Sequence, residues 1–100
     1  MFGTIAHARP KPGHEDQLTA LLEEWRREIR PAIRGKFLSL NGLLAGQPDE
    51  RIFVGLAEDE ATYRMLAASP AQDAWFRKLM EHIEGEPRWE DVELEIVVDE

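Results

Sequence analysis

The sequence contains no cysteine. This excludes disulfide bonds, thiolate metal sites and cysteine nucleophiles, and it suits a reducing compartment. No apolar run approaches the roughly 20 residues that span a bilayer. The first residues, MFGTIAHARPKPG, lack the basic start and the long apolar stretch of a signal peptide. We therefore expect a soluble, cytoplasmic protein.

Basic residues are also few. The chain has 12 Lys and Arg against 20 Asp and Glu, a net charge of −8. Binding to nucleic acid needs a concentrated basic surface, so this composition argues against it. The arginines at positions 26, 27, 30 and 34 stand among glutamates near a predicted helix end, where positive charge is favourable. Anion binding remains a second interpretation of this stretch.

Several catalytic motifs are missing as well. The chain has no G-x-S-x-G elbow, no glycine-rich phosphate loop and no paired acids in a recognisable catalytic frame. Its three histidines show neither HxH nor HxxxH spacing. The sequence thus gives no support to a hydrolase, a nucleotide-binding protein or a metal site.

The length of the chain predicts one domain over residues 1–100, because 100 residues support a single core. Residues 2–9 predict a strand that ends at Pro10-Lys11-Pro12-Gly13. Apolar residues then recur at helical spacing from Glu15, and Pro31 either kinks this helix or ends it near Glu28. Residues 37–45 and 51–57 predict a hairpin around the turn-rich segment 46–50.

The second half of the chain predicts a broken helix and a strand. Asp59 is a candidate N-cap for the first piece. Ser69 and Gln72 form a candidate capping box that opens the second, with Pro70 at the first helical position. Gly85 and Pro87 predict the end of the helix, and the alternation in residues 92–98 predicts the last strand.

This order, βαββαβ, predicts an α+β, ferredoxin-like fold with a four-stranded antiparallel sheet and both helices on one face. The two hairpin strands are apolar on both of their faces, whereas a sheet with one face in water alternates. The free face therefore predicts a partner, and a two-fold homodimer is the commonest solution.

The sequence resembles the antibiotic biosynthesis monooxygenase family over essentially its whole length. The resemblance rests on the KPG that ends the first strand, on LTALLEEW in the first helix, and on EDEATYRMLAASPAQDAW. It implies a dimeric α/β barrel, in which two sheets pack across the dimer and each subunit holds a small pocket between sheet and helices.

The residues that the family uses for chemistry are only partly present. In the branch that oxidises polycyclic phenols without a cofactor, an asparagine, a tryptophan and a tyrosine are implicated. The resemblance places Phe53, Ala57 and Tyr63 at these positions. The heme-degrading branch uses an asparagine, a tryptophan and an axial histidine. At the corresponding positions this chain has Ala6, Leu66 and Phe76, which can neither hydrogen-bond an oxygen ligand nor coordinate iron.

Three side chains are candidates for catalysis. Tyr63 could donate a hydrogen bond to a phenolate, or its hydroxyl could be a structural tie. His82, seven residues after Trp75, would share a helical face with it and could act as a base, or it could be a core histidine. His7 lies on the first strand and could face the pocket or a dimer interface. His14 is expected to be exposed and without a role.

We expect Trp75, Phe53 and Leu79 to line the substrate pocket, although aromatic residues at helical spacing also form the core. Two functions remain open. One is a cofactor-independent monooxygenase acting on a small aromatic or quinol-like compound, and the other is a non-catalytic ligand-binding or stress-related homodimer. Heme binding or degradation is a third, weaker alternative. No cofactor is expected for the first two.

Overall fold

A computed structural model describes all 100 residues. Four strands form one antiparallel sheet in the order β2-β3-β1-β4. The predicted ferredoxin-like α+β fold is confirmed. No helix is both long and apolar enough to cross a membrane. The elements, in chain order, are β1 (Phe2–Pro10), α1 (Glu15–Glu28), a 3₁₀ turn (Arg30–Ala32), β2 (Phe37–Leu44), β3 (Gln47–Ala57), α2 (Glu60–Ala67), α3 (Pro70–Met80) and β4 (Ile83–Glu93).

Helix α1 ends at Glu28, one of the two outcomes that Pro31 predicts. Its buried residues, Leu18 and Leu21, belong to the core cluster, which also contains Ala8, Leu79 and Ile83. Arg30, the first residue of the 3₁₀ turn, donates from its guanidinium to the carbonyl oxygens of Ile33 at 2.9 Å and Gly35 at 3.0 Å. This arginine therefore fixes the connection between α1 and β2.

The hairpin turn is shorter than predicted. Leu44 pairs with Gln47, so only Ala45 and Gly46 connect the two strands. Gly46 has a φ of 83°, which glycine adopts without the steric cost of a side chain. Pro48 lies inside β3, where the sequence predicted a turn. It lies outside the paired part of β1, which reaches β3 only at Arg51, so no bond to that strand is lost.

The helix caps are largely as predicted. The Asp59 carboxylate accepts a hydrogen bond of 2.8 Å from the Thr62 N–H at the start of α2. The Ser69 hydroxyl accepts one of 3.4 Å from the Gln72 N–H, and Pro70 is the first residue of α3. The reciprocal half of the capping box is wrong, because the Gln72 side chain accepts from the Trp25 indole instead.

The last strand is displaced from its predicted position. Helix α3 ends at Met80 and β4 begins at Ile83, so Gly85 and Pro87 lie within the strand. The strand tolerates Pro87 because β4 is at the sheet edge and pairs on one side only. Residues 94–98, most of the predicted strand, lie beyond β4 and are exposed, with Val97 at 83%.

The two faces of the sheet differ in what covers them. On β1, Ala6 and Ala8 face the helices and are buried. On the opposite face, which no helix covers, β2 exposes Leu38 (42%) and Leu40 (53%). These two leucines pair with Leu56 and Val54 on β3. The uncovered face of the hairpin is therefore apolar at these positions, as predicted, whereas the helix-facing side of β2 carries Ser39 and Asn41.

Candidate functional site

A cavity of about 950 Å³ lies between the sheet and the three helices. More than half of its lining residues are apolar. Its aromatic walls come from both layers of the fold: Trp25, Phe37, Phe53, Tyr63, Trp75, Phe76 and Trp89. An apolar concave site of this size that carries a few polar groups is typical of a small-molecule pocket.

One cross-strand row forms the floor of the cavity. Asn41 on β2 pairs with Phe53 on β3, Phe53 pairs with Ala6 on β1, and Ala6 pairs with Trp89 on β4. All four residues line the cavity. The short side chain of Ala6 leaves space at the centre of the row, and the Asn41 amide adds a polar group at one end. Asn41 and Trp89 were not predicted from the sequence, because their row depends on strand register.

The opposite wall belongs to α1 and α3. The Trp75 indole N–H donates to the Leu21 carbonyl oxygen at 2.7 Å, and the Trp25 indole N–H donates to Gln72 at 2.8 Å. Both indole donors are therefore satisfied within the helix pair, which fixes the rings as walls. The Lys78 ammonium, 2.8 Å from the Glu24 carboxylate, adds an exposed link between the same helices.

Tyr63, on α2, places a partly buried phenol in the cavity. Its ring lies 5.4 Å from the Phe2 ring, and the Arg64 guanidinium lies 5.5 Å from its centroid. Burial raises the pKa of the Tyr63 phenol, and the nearby Asp91 carboxylate raises it further. The hydroxyl therefore stays protonated and can donate a hydrogen bond across the neutral pH range.

The surroundings of the Tyr63 hydroxyl come from two adjacent strands. Thr4 on β1 pairs with Asp91 on β4, and both side chains influence the pKa of the phenol, Asp91 raising it and Thr4 lowering it. The Thr4 hydroxyl itself donates to the Glu90 carbonyl oxygen at 3.2 Å, and the Arg64 guanidinium is 3.8 Å from the Asp91 carboxylate. A donor, Tyr63, and an acceptor, Asp91, thus converge at one end of an aromatic cavity. Asp91 was not predicted from the sequence.

The cavity contains four of the six residues proposed from the sequence. Tyr63, Trp75, Phe53 and Leu79 all line it, whereas neither His7 nor His82 does. The cavity therefore contains no histidine that could act as a base.

His7 lies on the other face of the sheet. It alternates with Ala6 and Ala8, so its side chain points away from the helices. Its Nδ1 is 3.8 Å from the Glu50 carboxylate and its Nε2 is 3.8 Å from Glu90. The Nδ1 atom is buried and has no hydrogen-bond partner. Of the two orientations left open for His7, the structure has the one away from the pocket.

His82 is not on a helix. Since α3 ends at Met80, the seven-residue spacing from Trp75 no longer places His82 on the same face. Instead, its Nδ1 lies 2.9 Å from the Nδ1 of His14, and the two rings are 5.2 Å apart. The prediction that His14 is exposed is wrong, because its side chain is half-buried against His82.

The donor set does not fit heme. No histidine, cysteine or methionine lines the cavity. Tyr63 is the one lining side chain of a type that binds heme iron, and its raised pKa disfavours the phenolate that such a bond requires. Ala6, Leu66 and Phe76, which align with the functional positions of the heme-degrading branch, do line it but offer no ligand. The structure has no cluster of three or more His, Cys, Asp or Glu arranged to hold a metal ion.

Comparisons with known proteins found similarity in structure only. No family model matches the sequence, and no curated protein does. Among solved structures, an antibiotic biosynthesis monooxygenase is 16% identical with a TM-score of 0.73, covering 94% of this chain and 98% of its own. A conserved protein from Methanosarcina mazei is 15% identical with a TM-score of 0.78, covering 91% and 89%. The Rv0793 protein of Mycobacterium tuberculosis is 18% identical with a TM-score of 0.74, covering 99% and 96%. The chain has the fold of the antibiotic biosynthesis monooxygenases that its sequence resembles.

Proposed function

We propose that the protein is a cofactor-independent monooxygenase that oxidises a small phenolic or quinol-like aromatic compound in the cavity between sheet and helices. The observation that supports this most is the protonated Tyr63 hydroxyl beside Asp91 in an aromatic cavity. The aromatic walls suit a planar substrate, and the two polar groups suit its hydroxyl.

Each group has a separate task in this proposal. The Asp91 carboxylate accepts the proton of the substrate hydroxyl, and the Tyr63 hydroxyl donates a hydrogen bond to the resulting phenolate. The electron-rich anion then reduces O2 itself. A CH2 group of the substrate becomes a carbonyl group, which takes one oxygen atom, and the second oxygen atom leaves as water. The substrate supplies all of the electrons, so no external reductant is needed.

The assembly that goes with this function is a homodimer formed through the uncovered face of the sheet. Only 11 of 100 residues are buried, and the exposed side chains on this face include Leu38 and Leu40. A contiguous exposed apolar surface on a small protein marks an interaction site. A two-fold axis would place the same surface of a second copy against it.

The reaction can be tested with ¹⁸O2. The purified protein is incubated with a panel of dihydroxy aromatics and tricyclic phenols that carry an oxidisable CH2, and products are measured by mass spectrometry. We expect one ¹⁸O atom in the product and one in water. Ala67→Trp, at the exposed end of α2, should block this turnover because Ala67 lines the cavity. Ala74→Trp, exposed on α3 and outside the cavity, is the matched control.

The second candidate is a ligand-binding dimer without catalysis. Phe53 and Ala57 favour it, because they replace the polar pair that the resemblance associates with phenol oxidation. In that case the same compounds quench the fluorescence of Trp25, Trp75 and Trp89, and Ala67→Trp weakens the quenching. Binding without oxygen consumption for every compound would contradict the enzymatic proposal.

A further inference from the structure

One charged side chain in the cavity wall has no counter-ion. Five charged residues line the cavity, and four of them are in ion pairs. The pairs are Arg26–Glu23 at 2.5 Å, Asp73–Arg77 at 3.0 Å and Asp91–Arg64 at 3.8 Å. The fifth, Arg30, is half-buried and has no carboxylate within ion-pairing distance. We propose that Arg30 binds a carboxylate group of the substrate, so that the substrate class is a hydroxy-aromatic acid. The inference rests on the proposed function, since it takes the cavity as the substrate site.

The guanidinium of Arg30 is fixed in position and still has free donors. It donates one N–H to the Ile33 carbonyl oxygen at 2.9 Å and one to the Gly35 carbonyl oxygen at 3.0 Å. A guanidinium has five N–H donors, so three remain for a ligand. The two carbonyl groups orient the side chain, but they carry no charge that would neutralise the cation. A planar carboxylate, with two acceptor oxygens and a full negative charge, matches the donors that are left.

The position of Arg30 bears on the length of the substrate. A second cross-strand row lines the cavity, in which Ser39 on β2 pairs with Gly55, Gly55 pairs with Thr4, and Thr4 pairs with Asp91 on β4. Neighbouring strands lie about 4.8 Å apart, so this row spans about 14 Å between β2 and β4. Arg30 is held just before β2, whereas the proposed base, Asp91, is on β4. This separation favours a substrate whose carboxylate and reacting hydroxyl lie at opposite ends of two or more fused rings.

The aromatic walls of the cavity continue to the end where Arg30 lies. The rings of Trp25 and Phe37 are 5.0 Å apart, and both line the cavity. Phe37 follows Gly35, whose carbonyl oxygen Arg30 binds, by two residues. An aromatic acid can therefore place its rings against these walls and its carboxylate at the guanidinium. The net charge of −8 disfavours anions at the protein surface in general, so a preference for an acid has to come from this single cation.

The test compares a hydroxy-aromatic acid with its neutral amide. Binding of 6-hydroxy-2-naphthoate and of 6-hydroxy-2-naphthamide is measured by calorimetry under nitrogen, so that no oxidation takes place. We expect the wild type to bind the acid at least about tenfold more tightly than the amide, the effect of one charge-assisted hydrogen bond. Arg30→Gln should remove this preference, and Arg30→Lys should retain part of it. Arg34→Gln is the matched control, because it removes the same charge from an exposed residue outside the cavity, and it should keep the wild-type preference.

The ratio of the two affinities is measured within each protein, so a general effect of losing the bonds to Ile33 and Gly35 cancels. Circular dichroism checks that each variant is folded. Equal affinities in the wild type, no binding of either compound, or a preference that persists in Arg30→Gln would each overturn the proposal.

Oxygen uptake, measured separately in air, tests the proposed oxidation. A wild type that prefers the acid but consumes no oxygen with it or with any phenol supports the role of Arg30 and contradicts the oxidation. Oxygen uptake with neutral phenols, together with equal affinities for the acid and the amide, supports the oxidation and overturns the role of Arg30.

Discussion

The indole N–H of Trp25 donates a 2.8 Å hydrogen bond to the side-chain oxygen of Gln72, which links α1 to α3 at the cavity wall. Gln72→Leu removes the acceptor and leaves a half-buried donor unpaired, so the free energy of unfolding should fall by about 1 kcal/mol. Chemical denaturation measures this change. Gln72→Glu keeps an acceptor at the same place and should stay near the wild-type value. Equal midpoints for all three proteins would show that the bond adds no stability.

The cap of α3 depends on one hydroxyl. Because Ser69 accepts from the Gln72 N–H, Ser69→Ala should lower the free energy of unfolding by about 1 kcal/mol. Ser69→Thr, which keeps the hydroxyl, should lose much less. The Asp59 carboxylate caps α2 in the same way, so Asp59→Ala provides a parallel case. A denaturation midpoint unchanged in Ser69→Ala would mean that the cap is not formed in solution.

Tyr63 is the only tyrosine, so its ionisation can be followed without interference from other phenols. Its pKa in the folded protein is raised above the usual value of about 10, first by burial and then by Asp91. The phenolate absorbance near 295 nm should therefore appear at a higher pH in the folded protein than in urea. Coincident titration curves would contradict the burial of this hydroxyl.

The same shift sets the sign of a stability change at high pH. A raised folded pKa contributes stability that is complete below the unfolded pKa of about 10 and is lost as pH rises through the folded pKa. The unfolding free energy of the wild type should therefore fall as the pH rises above about 10. Tyr63→Phe should show a smaller fall, because it has no phenol to ionise. Parallel curves for the two proteins would show that Tyr63 does not carry this dependence.

The proposed dimer makes a prediction about one leucine. Leu40 is 53% exposed on the uncovered face of the sheet, so Leu40→Lys would place a charge in the proposed interface. We expect the wild type to sediment as a dimer at micromolar concentration and Leu40→Lys as a monomer. Met65→Lys changes a residue that is 75% exposed on α2, and it should leave the dimer intact. A monomeric wild type would contradict the proposed assembly.

The sequence predicted local elements best where one residue decides the geometry. Asp59 and Ser69 cap helices through bonds that span three residues, so the signal is complete within the segment. The prediction failed at Gly85 and Pro87, which normally end helices and strands. An edge strand accepts proline, but whether a strand lies at the edge depends on the strand order of the whole sheet.

The candidate site could be predicted only in part for the same reason. Tyr63 and Trp75 were found through helical spacing and resemblance. Asn41 and Trp89 reach the cavity through a row that requires the register of four strands. The contact between His14 and His82 joins segments 68 residues apart, and no local spacing encodes it.

The most direct test of the proposed chemistry is oxygen uptake by the wild type and Tyr63→Phe, with melting temperatures from the same preparations. The substitution removes only a hydroxyl. If Tyr63 orients a phenolate, oxidation should fall about tenfold or more, equivalent to a charge-assisted hydrogen bond of at least ~1.5 kcal/mol, while the melting temperature stays nearly constant. A wild type that consumes no oxygen with any phenol or quinol, or a Tyr63→Phe variant that is less stable but equally active, would contradict the account.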